Sequence, residues 1–319
     1  MIGMDRLWTE KYRPSNFKDV IGQDIIVERV SAMTKDRNIP NLLFAGPSGV
    51  GKSTLAIAIA KELFGDLWKE NLLELNSSDE RGIDIVRGII KDFSRTKSVA
   101  NAPYKIIFLD ECDSLTREAQ HALRRTMENF THNVRFILSC NASSKIIDAV
   151  QSRCTVFRFK PLDNLSMTKI IENIASKEKL ILDKTTHDAL NDVSDGDVRR
   201  AINVLQTCSA LNKKITEDLI YNIVNAVRTK EIKELITLAL QGEFMKSRDK
   251  LLDAMLKHGL SGLDIIKHIQ KEILNLDAGE KNKAKLIEVC GEIEFRLVEG
   301  SDEYIQLEAL IASFVLIGK

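Results

Sequence analysis

The chain has no excess of charge of either sign, since 46 Lys and Arg residues balance 46 Asp and Glu residues. A neutral chain does not attract nucleic acid or a membrane surface by its overall field, so an anionic partner must meet a local basic patch. The sequence lacks the 18 to 20 consecutive apolar residues, roughly, of a membrane span, and its first residues lack the apolar core of a signal peptide. We therefore expect a cytoplasmic protein with no membrane partner.

Cysteine is also scarce, and its spacing excludes two kinds of site. None of the five cysteines is paired with another at the short spacing of a zinc site or a redox motif. They are Cys112, Cys140, Cys154, Cys208 and Cys290. We expect reduced thiols. The sequence has no repeat of fixed period and no low-complexity tract, and its 319 residues are enough for roughly two or three domains.

The first half of the chain alternates between short apolar runs and helical patterns. This alternation predicts a parallel sheet covered by helices on both faces. The predicted strands cover residues 41–45, 72–75, 105–109, 135–140 and 155–159, and the predicted helices cover residues 52–64, 82–95, 116–130 and 146–151. The strands carry the β-branched and aromatic residues that suit a buried sheet.

The strand pattern ends after Pro161, and the remaining sequence reads as helical. We predict an α/β domain over residues 1–161, a helical domain over 162–227 that ends with a helix at 216–227, and a second helical domain over 228–319. The last helical stretch, near residues 305–316, is apolar all round, which is typical of a helix that packs into an interface.

A glycine-rich loop follows the first predicted strand and opens the helix at 52–64. Its residues are Gly46, Pro47, Ser48, Gly49, Val50, Gly51, Lys52, Ser53 and Thr54. This is the pattern of a phosphate-binding loop, in which backbone N–H groups and the positive end of a helix face phosphate oxygens. We expect Lys52 to hold the β- and γ-phosphates of ATP and Ser53 to hold Mg²⁺.

Two carboxylates, Asp110 and Glu111, end the third predicted strand. Alone, such a pair reads as a solvated turn after a buried strand. Because parallel strands deliver their carboxyl ends to one crevice, this pair is expected to lie near the phosphate loop. Asp110 then becomes a magnesium ligand and Glu111 a base for water, so the sequence predicts an ATP hydrolase.

Eight sequence blocks, in one order along the chain, together resemble the small-subunit family of archaeal replication factor C, whose members are AAA+ clamp-loader ATPases. The blocks are residues 8–14 (WTEKYRP), the phosphate loop, 78–84 (SDERGID), 109–111 (LDE), 122–128 (ALRRTME), 139–141 (SCN), 152–154 (SRC) and 196–203 (GDVRRAIN). Three residues depart from the usual family pattern. Ser48 and Val50 replace Pro and Thr in the loop, and Cys112 replaces Ala after the carboxylates; none of the three removes a ligand or the base.

The resemblance implies roles for three further polar residues. Asn141, at the end of the fourth strand, would sense the γ-phosphate and orient water; a turn-forming Asn is the alternative. Arg153 would act as an arginine finger on the ATP of a neighbouring subunit, although without the resemblance a solvated surface arginine is the better interpretation. Arg199 would close over the γ-phosphate of its own subunit as part of a lid.

An aromatic and apolar wall for the adenine base is implied near the start of the chain. Its residues are Tyr12, Arg13, Pro14, Val20 and Ile21. A strap that simply packs on the core is the alternative interpretation.

The helix predicted at 82–95 carries basic residues on one face and an apolar stripe, Ile83, Val86, Ile90 and Phe93, on another. The resemblance implies that Arg81, Arg87 and Lys91 contact DNA through its phosphates, without reading bases; a solvated helix face is the alternative. Gln120 and Arg124, on the helix after Glu111, would couple DNA contact to the ATP site, or merely form a polar helix face.

The family resemblance also implies partners. They are a replication factor C large subunit, further copies of the chain in a ring, a sliding clamp, and primer-template DNA bound without sequence preference. The chain shows no clamp-binding peptide at its end, so the main clamp anchor is expected on the large subunit. Two alternatives stay open: a DNA-remodelling AAA+ motor, and a scaffold subunit without turnover.

Overall fold

A computed structural model describes residues 7–79, 81–99, 102–224, 229–258, 260–276 and 278–318. Two compact units make up the chain, residues 1–215 and residues 216–319. Glu80, the end of the helix predicted at 216–227 and the boundary predicted between 227 and 228 lie outside the described residues. No helix among the described residues is long and apolar enough to cross a membrane.

The first unit is built on a five-stranded parallel sheet, as predicted. Its strands are β1 Leu42–Ala45, β2 Leu72–Asn76, β3 Lys105–Asp110, β4 Val134–Cys140 and β5 Thr155–Arg158, each within one residue of the predicted range at either end. The order across the sheet is β2-β3-β4-β1-β5. Strand β4 therefore separates β1 from β3, and the ends of these three strands face one crevice.

Helices precede and connect the strands of this sheet. They are α1 Trp8–Lys11, α2 Asp24–Lys35, α3 Lys52–Phe64, α4 Ile83–Ile85, α5 Lys91–Arg95, α6 Arg117–Asn129 and α7 Asp148–Gln151. Helix α6 begins where the Thr116 side chain accepts a hydrogen bond from the N–H of Ala119, at 3.2 Å. That cap satisfies one of the free donors that every helix start leaves.

The prediction of a single α-helix over residues 82–95 needs correction, because the segment is not α-helical throughout. A π-helical stretch, Val86–Ile90, separates α4 from α5. Because a π turn takes up an extra residue, the buried side of this segment differs from an ideal helical stripe. Ile85 and Ser94 join Val86 and Ile90 in the interior, whereas the predicted inward residues Ile83 and Phe93 are only half-buried.

Three further helices complete the first unit: α8 Asn164–Glu178, α9 Lys184–Ser194 and α10 Val198–Leu211. Each begins after an aspartate, Asp163, Asp183 or Asp197, whose side chain accepts a backbone N–H from the first turn. Gly196, just before the last cap, has a φ of +79°, and a Cβ there would lie 2.6 Å from Pro161. Glycine thus lets α10 start close against the end of the sheet.

The second unit is helical throughout its described residues. Its helices are α11 Glu217–Val224, α12 Thr229–Leu240, α13 Phe244–His258, α14 Gly262–Asn275, α15 Glu280–Val298 and α16 Glu303–Gly318. The unit has its own core, in which Ile236, Ile269, Leu307 and Phe314 have no exposed surface. One side of α16 thus packs within its own unit, and an interface on its other side stays a prediction.

Candidate functional site

The glycine-rich loop connects β1 to α3, and its backbone is shaped by glycine. Gly49 has a φ of +68° and Gly51 a φ of +98°, left-handed conformations that residues with a Cβ rarely adopt. Gly51 is the N-cap residue of α3, so the first backbone N–H groups of that helix open directly into the loop. The loop therefore presents backbone donors and the positive end of a helix at one point, which suits a phosphate group.

Lys52, the first residue of α3, is buried beneath this loop. Its Nζ donates hydrogen bonds to the carbonyl oxygens of Gly46 and Pro47, both at 2.6 Å, and to Oδ1 of Asn141 at 3.0 Å. Burial lowers the pKa of Lys52, while the nearby Asp110 carboxylate opposes that change. A buried ammonium that is surrounded by neutral oxygens gains favourable interactions when a polyanion approaches.

Asp110 and Glu111 lie where β3 ends, and both face the crevice. Glu111 has a φ of +51°, which a residue with a side chain adopts at a cost, and its N–H donates to Oδ1 of Asp110 at 3.0 Å. This turn directs the two carboxylates to different places, with Glu111 exposed and Asp110 half-buried. One carboxylate is thus placed to hold a cation and the other to face solvent in the same crevice.

Asn141 follows β4, the strand between β1 and β3. Its side chain contacts Lys52, and its backbone N–H donates to Oδ1 of Asp113 at 3.4 Å. The next residue, Ala142, donates its N–H to the other oxygen of the same carboxylate at 3.2 Å. Asp113, which the sequence analysis did not single out, therefore connects the strand that carries Asn141 to the turn after Glu111.

Helix α10 begins directly on the phosphate loop. The N–H of Val198 donates to the carbonyl oxygen of Gly49 at 3.1 Å, and the Ser48 hydroxyl lies 3.4 Å from Oδ2 of Asp197. A Cβ on Gly49 would lie 1.7 Å from the Asp197 carboxylate, so only glycine permits this contact. Arg199, in the first turn of α10, lines the same crevice.

One cavity joins these groups to the predicted adenine wall. Among its lining residues are Ser48, Gly49, Val50, Gly51, Lys52, Ser53, Thr54, Asp110, Glu111, Asn141, Arg199, Tyr12, Arg13, Pro14, Val20 and Ile21. Gly46 and Pro47 contribute through their carbonyl oxygens to Lys52 instead. The cavity is therefore lined both by phosphate-binding groups and by aromatic and apolar side chains.

Sequence reasoning missed one side of the cavity. Three residues of α8 and one of α10 line the same cavity as Tyr12 and Val20: Ile170, Asn173, Ile174 and Ile202. The spacing of the three α8 residues, i, i+3 and i+4, places them on one helix face. That spacing was available in the sequence, but the identity of the surface it faces was not.

Arg153 lies outside this cavity, on the turn between α7 and β5. Its guanidinium is exposed and contacts Glu128 of α6. An arginine at this place does not face the phosphate loop of its own chain in the structure.

The residues predicted to contact DNA also lie apart from the cavity. Arg81 and Arg87 are exposed, and Lys91 is half-buried. Gln120 is buried. The alternative that it forms an exposed polar helix face together with Arg124 is therefore wrong for Gln120. Its Oε1 accepts the N–H of Ile147 at 2.8 Å, and its Nε2 donates to the carbonyl oxygens of Leu115 and Lys145, both at 3.1 Å.

Comparison with known proteins places the chain in a family. Residues 42–162 match the ATPase family associated with various cellular activities (AAA), and residues 227–313 match the replication factor C C-terminal domain. The replication factor C small subunit of Methanococcus maripaludis is 50% identical over 97% of this chain and 98% of that protein. That of Staphylothermus marinus is 47% identical over 98% of this chain and 95% of that protein.

The chain belongs to the replication factor C small subunit family. It is an AAA ATPase and a clamp-loader subunit, as the sequence analysis predicted. The fold is shared more widely: RuvB of Thermotoga maritima, a Holliday junction branch migration motor, gives a TM-score of 0.57 at 19% identity over 71% of this chain and 79% of that chain. That likeness concerns the fold alone, so a DNA-remodelling motor is not favoured.

Proposed function

We propose that the chain binds ATP with Mg²⁺ in the cavity of the first unit and hydrolyses it within a clamp-loader complex. The observation that carries this proposal is the convergence of Lys52, Asp110, Glu111 and Asn141 around one phosphate loop. These four come from the ends of two adjacent strands, β3 and β4, and from α3, the helix that follows their neighbour β1. A scaffold subunit without turnover would have no need of the two carboxylates and the asparagine beside the loop.

The residues present fit a magnesium ion. Ser53 and Asp110 line the cavity with oxygen donors, the ligands that Mg²⁺ prefers. When bound there, Mg²⁺ would neutralise charge on the β- and γ-phosphate oxygens. The chain's own groups do the rest: Lys52 binds the phosphates, Asn141 orients water, and Glu111 accepts the proton of that water.

The lid helix α10 and the predicted adenine wall would bind two further parts of ATP, the γ-phosphate and the base. Arg199 would bind the γ-phosphate from α10, and its helix already begins on the loop, which supports a lid that responds to ATP. Tyr12, Arg13 and Pro14 would hold the base against Val20 and Ile21. Their presence in the lining of the same cavity supports this assignment.

Arg153 would complete the site of a neighbouring subunit. It is exposed and lies outside the cavity of its own chain, so the part of its guanidinium that Glu128 does not contact is open to an anion brought by another molecule. A guanidinium that binds the γ-phosphate stabilises charge developing in the transition state and is worth roughly 10³- to 10⁵-fold in rate in other NTPases.

We further propose that the chain works in a complex with a large subunit and with copies of itself. The complex would open a sliding clamp and load it onto primer-template DNA, in the cytoplasm. Arg81, Arg87 and Lys91 would follow DNA phosphates, and Gln120 with Arg124 would link DNA contact to the ATP site. Gln120 supports that link because its amide joins α6 to the segment before α7.

Replacement of Glu111 by Gln tests the proposed reaction. The variant keeps the shape and the phosphate contacts, so ATP binding should be unchanged, while turnover of the assembled complex should fall by at least about 10²-fold, as for loss of a general base. Lys52→Ala is the matched control, because it should lose both binding and turnover.

The readouts are binding of a fluorescent ATP analogue, phosphate release, and retention of a labelled clamp on circular primed DNA. Near-normal phosphate release from Glu111→Gln would exclude this residue as the base. Phosphate release without clamp retention in the wild-type complex would contradict clamp loading.

A further inference from the structure

The guanidinium of Arg153 is held in one orientation by contacts within its own chain. Its Nη1 donates to the carbonyl oxygen of Ala149 at 2.7 Å and to the hydroxyl of Ser152 at 3.3 Å. Its Nη2 donates to Oε1 of Glu128. Of the five N–H donors of an arginine, these contacts take three, all on the two terminal nitrogens.

Two donors of the guanidinium remain, one on Nε and one on Nη2. They are the Nε–H and one proton of Nη2, on the two nitrogens that bind two oxygens of a phosphate side-on. Because the terminal nitrogens are anchored to Ala149 and Glu128, the guanidinium is already oriented before an anion arrives. A flexible arginine would lose rotamer freedom on binding, whereas this one has lost much of it in advance.

Glu128 is shared between two arginines. Arg124, one helical turn earlier on α6, donates from Nη1 to Oε1 at 3.0 Å and to Oε2 at 3.4 Å. The three side chains carry a net charge of +1, and each is about a third exposed, at 30% for Arg124, 38% for Glu128 and 35% for Arg153. The second arginine fixes the carboxylate on the helix, so that Glu128 is itself an oriented acceptor.

We propose that Glu128 is a positioning residue for Arg153, and that it holds the finger ready for the γ-phosphate of an ATP bound to a neighbouring copy. This inference rests on the proposed trans role of Arg153. It assigns to α6 a second task besides coupling to DNA: the helix fixes the group that completes the next subunit's site. Glu128 would not touch the reacting atoms and would act only through Arg153.

The test uses complexes in which the finger and the phosphate loop come from different subunits. An acceptor subunit carries Arg153→Ala with an intact loop, and a donor subunit carries Lys52→Ala with an intact Arg153. The two are mixed with the large subunit, clamp and primer-template DNA. They should hydrolyse ATP at interfaces where the intact phosphate loop of an acceptor lies opposite the intact Arg153 of a donor.

Glu128→Gln is then placed in the donor alone or in the acceptor alone. In the donor it should lower kcat by roughly 10-fold, because the guanidinium is no longer oriented, while KM for ATP stays the same. In the acceptor it should change nothing. Glu118→Gln, which removes an exposed carboxylate at the other end of α6, is the matched control and should be silent in either subunit. Turnover is expressed per assembled complex, as measured by size-exclusion chromatography.

A second comparison separates positioning from general structure. In a complex whose fingers are all Arg153→Ala, adding Glu128→Gln should lower turnover no further. An equal loss from the donor and acceptor variants, or a donor variant with wild-type or higher kcat, would overturn the role of Glu128 and leave the trans finger intact. If Arg153→Ala throughout the complex leaves turnover unchanged, the trans assignment fails and the inference fails with it.

Discussion

Asp113 shows how a single carboxylate can link two segments of the candidate site. It lies two residues after Glu111 and accepts backbone N–H groups from Asn141 and Ala142 on the next strand. Two hydrogen bonds therefore connect the turn that carries the candidate base to the strand end that carries the candidate sensor. A displacement of one of these groups by about 1 Å is enough to slow an enzyme substantially.

We expect Asp113→Ala to lower kcat by about 10-fold with little change in ATP affinity, because Asn141 loses its backbone anchor while Lys52 and the loop remain. Asp113→Asn keeps one acceptor oxygen and should fall between this variant and the wild type. Steady-state phosphate release and nucleotide titration measure the two quantities. Wild-type kcat in Asp113→Ala would mean that other contacts suffice to hold Asn141.

Two residues that depart from the family pattern form contacts in this chain. The Ser48 hydroxyl lies 3.4 Å from the Asp197 carboxylate, a contact that the usual proline, which has no donor, does not permit. The Cys112 thiol hydrogen-bonds the buried Cys140 thiol, and this bond together with burial raises the pKa of Cys112 well above its usual range. Both substitutions are therefore accommodated by polar partners from distant parts of the sequence.

At the scale of elements, the helix starts of the lid illustrate how local chemistry determines structure. Asp183 precedes α9, and its Oδ1 accepts the N–H of Thr186 at 2.8 Å and the hydroxyls of Thr186 at 2.7 Å and Thr185 at 2.9 Å. Hydrogen bonds from the side chain and backbone of Thr186, and from Thr185, lower the pKa of Asp183 to about 2. The ionised form is thus the one that caps the helix.

The lowered pKa predicts how stability depends on pH. A carboxyl whose pKa is depressed by folding stabilises the native state above its unfolded pKa of about 3.9, and this contribution disappears as the pH falls through about 2. Asp183→Ala should therefore lower the melting temperature by about 2 to 4 °C at neutral pH. The difference from the wild type should shrink below about pH 4.

Asp183→Asn is the control for this prediction, since asparagine also caps helices but does not titrate. Asp183→Asn should keep most of the stability at neutral pH. Its melting temperature should not show the part of the fall below about pH 4 that comes from protonation of Asp183 in the wild type. Thermal unfolding followed by circular dichroism from pH 7 to pH 2.5 provides the measurement. A difference between Asp183→Ala and the wild type that stays constant over this range would show that the charge of Asp183 plays no part.

In the segment from Ile83 to Arg95, by contrast, the local sequence pattern was not sufficient to predict the helix type or the buried residues. Its sequence fits a regular helix, yet the π-helical turns around Gly88 shift which residues face the interior. Ile89 remains 46% exposed beside the basic side chains. Glycine permits the wider turn, but packing of α4 and the π stretch against α6 selects it, and that packing is not local in sequence.

At the scale of the whole molecule, zero net charge poses a question for a protein that we propose to bind DNA. Affinity for a duplex comes largely from the release of counterions as basic groups meet phosphates. A neutral chain can achieve this only through a local row of positive charge. Arg81, Arg87 and Lys91, repeated in each copy of a ring, would supply such a row.

We expect the double variant Arg87→Ala, Lys91→Ala to weaken DNA binding by the assembled complex equally for unrelated sequences. The slope of log affinity against log salt should become shallower by up to roughly one unit for each phosphate that no longer meets a basic side chain. ATP binding should persist, and stimulation of hydrolysis by DNA should fall. Fluorescence anisotropy over a range of salt concentrations measures the slope.

Lys213→Ala, Lys214→Ala is the control for this experiment, because it removes the same charge from exposed residues of the same unit. It should leave the slope unchanged. Equal effects of the two double variants would mean that overall charge, and not the row, governs DNA binding.

The sequence alone determined those features that depend on neighbouring residues. Continuous apolar runs indicated the buried strands, the glycines around Lys52 indicated a phosphate loop, and carboxylates after an apolar run indicated the acidic end of β3. Short-range patterns suffice here because backbone conformation, strand burial and helix starts are set within a few residues. Fold class and ATPase activity followed from them.

Only the tertiary structure decided which distant groups meet. Insertion of β4 between β1 and β3 brings Asn141 against Lys52, and packing of α8 forms the wall that sequence reasoning missed. The burial of Gln120, the approach of Asp197 to Gly49 and the pairing of Glu128 with Arg153 likewise join residues that are 25 or more positions apart. Such contacts depend on how whole elements pack, and one sequence carries no local signal that specifies their partners.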